Sequence, residues 1–219
     1  MLREKKIQWT EGLLMETFNL KREFGESQLL NAWLRADQKV YALPAYASEQ
    51  LESLRARLFR YVDFWNEEDL KMNFISPILL MVDYYNEEKQ YRSYYEKEIT
   101  GVYEGVALKT KSDFMIAHGI GELARNPYFC FHEYKRDKKH ADDPTAQVLL
   151  GMLIAQSVQK THIPIYGAYI IGRNWYFMVM SDKKYTISSA YDATDGHRLT
   201  QILAILLQFK FILDFELVK

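Results

Sequence analysis

The chain has 219 residues, 48% hydrophobic and 26% charged, with 12 Phe, 16 Tyr and 4 Trp, which is enough apolar mass for one substantial core and a small appendage. A net charge of −1 excludes overall basicity as a nucleic-acid signal, while leaving room for a local basic groove. The single cysteine, Cys130, excludes an internal disulfide and an all-cysteine metal cluster, and suits a reducing compartment.

The N-terminus, MLREKKIQWTEGLL, lacks the apolar core of a signal peptide. The stretches ISPILLMV and LTQILAILLQFKFIL are too short or too interrupted to span a bilayer. The expectation is a soluble, cytoplasmic protein.

Residues 10 to 36 carry helical spacing with a turn near Gly25, and 47 to 64 place Leu51, Leu54, Leu58, Tyr61 and Val62 on one helical face. Asn66 reads as the N-cap of a further helix with Leu70, Phe74, Ile78 and Met81 as its stripe and Pro77 as a kink or a weakened hydrogen bond. From residue 94 the chain turns to β-branched and aromatic residues punctuated by Gly101, Gly105 and Gly119, predicting two strands, with a third at 127 to 135. Asp143 and Pro144 open a helix as N-cap and first residue. IPIYGAYIIG and WYFMVMS then flank a turn at Arg173 and Asn174, YTISSAY is a short strand, and a last helix starts near 195. The order predicts a mixed α/β domain over 61–219 with helices around one sheet, preceded by a helical segment over 1–60.

One constellation stands out. FCFHEYKRD ends a strand with an acid and a base, and alternation puts Phe129, Phe131, Glu133 and Lys135 on one face. Asp113, on the preceding strand with Met115 and Ala117 as face-mates, lies 20 residues upstream, room for two adjacent strands and a loop. If those strands pair, Asp113, Glu133 and Lys135 converge at one end of the sheet. Two carboxylates at one point repel unless a cation intervenes, and a hard divalent ion takes oxygen ligands. Such an ion would hold a phosphate and acidify a water, while the lysine orients that water or offsets developing charge.

Asp113 followed by Glu133-Tyr134-Lys135 resembles the D…(D/E)xK signature of the PD-(D/E)xK, or restriction-endonuclease-like, nuclease superfamily, and the order helix, three strands, helix, strand is its core order. NEEDLKMNFISPIL is similar to the helix that opens the nuclease domain of type I restriction-enzyme motor subunits and related standalone bacterial proteins, with Glu67 at the matching acidic position ten residues before Pro77. IYGAYIIGRNWYFMVM resembles the hairpin of the same relatives, and Gln147 matches a glutamine that faces their site. Ser112 stands where the signature has proline, a proline that is often missing in the superfamily.

The resemblance covers roughly residues 63 to 180. It implies Mg²⁺- or Mn²⁺-dependent phosphodiester hydrolysis, with Asp113, Glu133 and Glu67 as metal ligands and Lys135 and Gln147 as further catalytic residues. DNA is the expected partner, alongside a second copy of the chain or a protein that supplies specificity.

The residues themselves leave plainer readings open. Glu133 and Lys135 also suit a solvated ion pair at a strand end, Glu67 suits any first helical turn, and Gln147 suits a helix surface. The run KRDKKH, 135 to 140, is either a solvated loop or a phosphate contact. His118, His132, His140, His162 and His197 make no metal-ligand spacing, and no nucleophile elbow or phosphate-cradling loop occurs. The alternative function is a binding scaffold that keeps the nuclease fold without cleaving.

Overall fold

A computed structural model describes residues 7–25, 27–35, 45–119, 124–135, 143–159 and 163–218, with the backbone path alone at 45 and 125–135. Among these residues, a mixed sheet of nine strands carries helices on both faces.

The N-terminal segment opens with α1 (Glu11–Phe18), capped by the Thr10 hydroxyl, and ends with Asn19 in the left-handed conformation. Where helical spacing was expected to run on to Gly25, the chain makes a two-residue strand, β1 (Lys21–Arg22), before α2 (Gln28–Leu34). Two residues carry no readable period, so only pairing with a distant strand reveals β1. The next helix, α3 (Ala45–Tyr61), falls close to its expected span.

Asn66 and Asp69 close a capping box at the start of α4 (Glu67–Leu70). A π-helical turn follows at Lys71–Ile75, then α5 (Ser76–Val82). The expected effect of Pro77 takes this form: proline brings no N–H, and the preceding turn widens so that Ser76 N–H reaches the carbonyl of Lys71.

The short strand β2 (Tyr85–Asn86) leads into the long hairpin β3 (Tyr91–Tyr103) and β4 (Val106–His118). Glu104 and Gly105 make its turn with φ of 47° and 82°, a two-residue turn with both positions left-handed. Gly101, expected as punctuation, lies inside β3: a Cβ there would meet Ser157 Oγ at 2.6 Å and Ile154 Cγ2 at 3.1 Å, so the glycine admits a helix against the strand.

β5 (Arg125–Lys135) pairs antiparallel with β4, and α6 (Pro144–Val158) carries the chain over to β6 (Ile165–Ile171), which lies parallel to β5. Asp143 caps α6 by accepting from Ala146 N–H at 3.0 Å, as its sequence predicts. β7 (Asn174–Ser181) returns from a turn at Gly172 and Arg173, one residue earlier than expected, because Gly172 takes the left-handed position (φ 57°) and Asn174 already pairs with Ile171. β8 (Lys184–Ile187) and β9 (Tyr191–Asp192) both pair with β7, and α7 (Gly196–Ile212) closes the chain with a second π-helical turn at Leu213–Leu217.

The sheet runs β1-β8-β7-β6-β5-β4-β3-β2, parallel only at β1/β8 and β5/β6. Both end strands are two residues long, and β2 pairs only with Tyr91 and Arg92 of the 13-residue β3. One face packs against α2, α3, α5 and α7 around Trp33, Tyr166, Phe177 and Phe209. The other packs against α1 and α6 through Leu14, Phe18, Met115, Leu149 and Met178. Among the described residues no helix is long and apolar enough to cross a membrane.

The N-terminal helices belong to these cores. Trp33 of α2 is 1% exposed, meets Tyr166 and Phe177 edge-on at 5.2 Å, and donates its indole N–H to Ile205 O at 3.0 Å. Trp33→Ala is expected to cost ~3–5 kcal/mol, read as a lower midpoint of a single cooperative urea transition. Separate melting of the N-terminal segment would show that α2 is dispensable to the sheet.

Candidate active site

The clearest polar cluster lies where β3 and β4 change face. Tyr91 belongs to the α7-side core and Ile99 to the α6-side core, although eight residues of regular strand would leave them on one face. Leu108 and Phe114, six apart on β4, differ in the same way. Within β3 the backbone irregularity is Glu96, whose φ is 52° in the middle of a strand, a strained position for a residue with a Cβ. The paired register steps from Tyr95↔Phe114 to Lys97↔Ser112, so Glu96 is level with Asp113. Ser112, where proline was a possible signature, is buried and donates its hydroxyl to Phe114 O at 2.8 Å, which holds the backbone around Asp113.

On the other side of β4, Phe114 pairs with His132. One residue further along each strand, position 133 is level with Asp113. The expected side-by-side pairing of the Asp113 and Glu133 strands is therefore present at the backbone. Glu96, Asp113 and Glu133 occupy one row across β3, β4 and β5. The side chains of Cys130, His132, Glu133, Tyr134 and Lys135 lie outside the described residues, as do 136 to 140 of the basic run, including His140, and His162.

Into this row comes a residue that sequence reasoning missed. Lys71, at the start of the π-helical turn, brings its ammonium to 3.0 Å from Glu96, 3.1 Å from Asp113, 3.4 Å from Glu68 and 3.5 Å from Glu67. Its side chain is 10% exposed and that of Asp113 11%. The second oxygen of Glu96 accepts from Lys111 at 2.5 Å. The structure thus brings Glu67 and Asp113 onto one common ammonium. A signal for Lys71 did exist: Glu67, Glu68 and Lys71 stand at i, i+3 and i+4 helical spacing. Glu96 had none, because its role depends on register.

Burial by itself would depress the Lys71 ammonium, but hydrogen bonds to Glu96 and Asp113 and their charges outweigh it, raising the group above its ordinary value of 10.5. Burial would raise Glu96, and hydrogen bonds to Lys111 and Lys71 reverse that, holding it below its ordinary value of 4.5. Four carboxylates against two ammoniums leave this cluster formally at −2. An oxygen-only, anionic donor set is the chemistry a hard divalent ion takes. Among the described residues no three such side chains already stand in ligand geometry; the carboxylate oxygens converge on the ammonium instead.

Gln147 sits on the first turns of α6 and lines a cleft beside this cluster. Its Oε1 is buried and has no hydrogen-bond partner among the described residues. No protein-family model matches the chain, and no curated protein matches it.

Among the described pairs of Lys71, that with Asp113 is nearly buried, while Glu67, Glu68 and Glu96 are more exposed and better screened. Lys71→Met is expected to cost ~3 kcal/mol, because it removes a nearly buried counter-charge from Asp113, and adding Asp113→Asn should recover part of the loss. Chemical unfolding of the two single variants and the double variant reads the coupling; additive losses would show that the pair is not coupled. The raised lysine contributes stability up to its ordinary value of 10.5 and loses it as pH rises through the higher folded one. The lowered Glu96 contributes above its ordinary value of 4.5 and loses its share as pH falls through the lower folded one. The wild-type contribution is accordingly flat across neutral pH.

Proposed function

We propose that the protein is a metal-dependent phosphodiesterase of restriction-endonuclease-like fold, acting on DNA. The observation that carries this reading is the meeting of Glu67 and Asp113 on one ammonium, with position 133 level with Asp113 on the neighbouring strand. The order α4–α5, β3–β4–β5, α6, β6 supports it as well, since it is the core order of the nucleases that the sequence resembles.

Asp113 and Glu133 would hold the metal, with Glu67 as a third carboxylate. A bound Mg²⁺ or Mn²⁺ supplies Lewis-acid polarisation of the phosphate and a more acidic water. Lys135 orients the attacking water or offsets charge developing on the phosphate, and Gln147 supports the substrate. Lys71 holds the carboxylates close together, so little reorganisation is needed when substrate arrives.

One observation favours a second reading, a scaffold that keeps the fold without catalysis: the Lys71 ammonium already offsets Asp113 and Glu96 with no metal required. Plasmid nicking in Mg²⁺, together with Mn²⁺ titration by calorimetry, separates the two. The nuclease reading expects cleavage by the wild type, loss of metal binding and of cleavage in Glu133→Ala, and a rate lower by about 10²–10⁴-fold in Lys135→Ala. Neither cleavage nor metal binding at millimolar concentration would leave the scaffold.

A further inference from the structure

A cleft of about 540 Å³ opens between β4 and the start of α6, lined in part by Trp9, Lys109, Thr110, Lys111, Asp143 and Gln147. That volume suits a small ligand the size of a nucleotide. Lys111 links the cleft wall to the carboxylate cluster, because it is paired with Glu96, which shares Lys71 with Asp113.

Its walls carry three kinds of group. Trp9 is braced against Phe18, with ring centroids 5.8 Å apart, and Phe18 in turn meets Tyr103 edge-on at 5.3 Å, so the indole is held as a platform. Lys109 and Lys111 are more than half exposed and donate to Glu98 at 2.7 Å and Glu96 at 2.5 Å. An ammonium has three donors, so each keeps hydrogens for a further acceptor. Asp143 is tied into the wall, its two oxygens accepting from the backbone N–H groups of Glu11 at 2.8 Å and Ala146 at 3.0 Å. Gln147 contributes an amide whose buried oxygen lacks a donor, and such an orphan calls for a partner.

We propose that this cleft binds an unpaired nucleotide of the substrate strand, its base stacked on Trp9 and its phosphate on Lys109 and Lys111, with the Gln147 amide against the base edge. The assignment rests on the phosphodiesterase reading for the neighbouring cluster. A single strand is chosen over a duplex because a base reaches an aromatic face only when it is unpaired.

The test is fluorescence anisotropy of a short labelled single-stranded DNA of mixed sequence, in EDTA so that binding is read without cleavage. Trp9→Ala is expected to weaken binding about tenfold, with Trp9→Phe close to wild type. Exchanging both lysines, Lys109→Gln with Lys111→Gln, should lower the slope of log affinity against log salt by about 0.7, the share of one phosphate. These lysines are exposed, so that variant tests the idea even if Trp9→Ala fails to fold. Wild-type affinity and salt slope in the lysine variant, or no binding of the strand by the wild type up to millimolar, would overturn the proposal. Binding as expected without cleavage in Mg²⁺ would sink the nuclease reading and leave the cleft, whereas cleavage with unchanged KM in both variants would do the reverse.

Discussion

The ammonium of Lys71 is the point at which three separate parts of the chain are held together. It ties the helix that opens with Asn66 to β3 through Glu96 and to β4 through Asp113. Carboxylates gathered that closely would otherwise repel or take up protons. Two departures from regular backbone meet at the same place, the π-helical turn that begins at Lys71 and the left-handed Glu96. Each has a cost in an ordinary helix or strand, and the two meet through the Lys71–Glu96 pair.

The rest of the architecture makes that arrangement rigid. The change of face in β3 and β4 lets one hairpin serve two cores, the α7 side through Tyr91 and Phe114 and the α6 side through Ile99 and Leu108. Glu96 and Asp113 lie at the crossing, where neither core claims their side chains. Gly101 allows α6 close against β3, and Asp143 binds α6 to α1 by accepting from Glu11 N–H. Glu11 also accepts from Tyr185 and Arg22. α1 is thereby attached to both the helix and the sheet edge, and it carries the chain past Trp9 along the cleft.

A binding surface built in this way joins distant stretches. Trp9 comes from the segment that carried no recognisable motif, Lys109 and Lys111 from the strand with Asp113, and Gln147 from the helix after the ExK strand. Substrate contacts and catalytic carboxylates would then share β4 as a common support, so that placing one places the other.

Much of the local structure was legible in the sequence, because it depends on neighbours along the chain. Asn66 with Asp69 and Asp143 with Pro144 announce helix starts through side chains that reach their own backbone. The strands of the β3–β4–β5 meander follow from β-branched and aromatic runs, and Asp113 and Glu67 could be singled out by motif. What depended on long-range pairing was not legible. The two-residue strand β1 exists only because β8 lies beside it, and Gly101 reads as punctuation until Ser157 is seen packed over it. Glu96 looks like any acid in EKE until the register sets it level with Asp113. Lys71 shows helical spacing to two acids, but which further carboxylates it meets was decided by the sheet. Sequence alone determines periodicity and caps, since these are local energies; tertiary structure decides which charges meet, since that is set by register and packing between residues far apart in the chain.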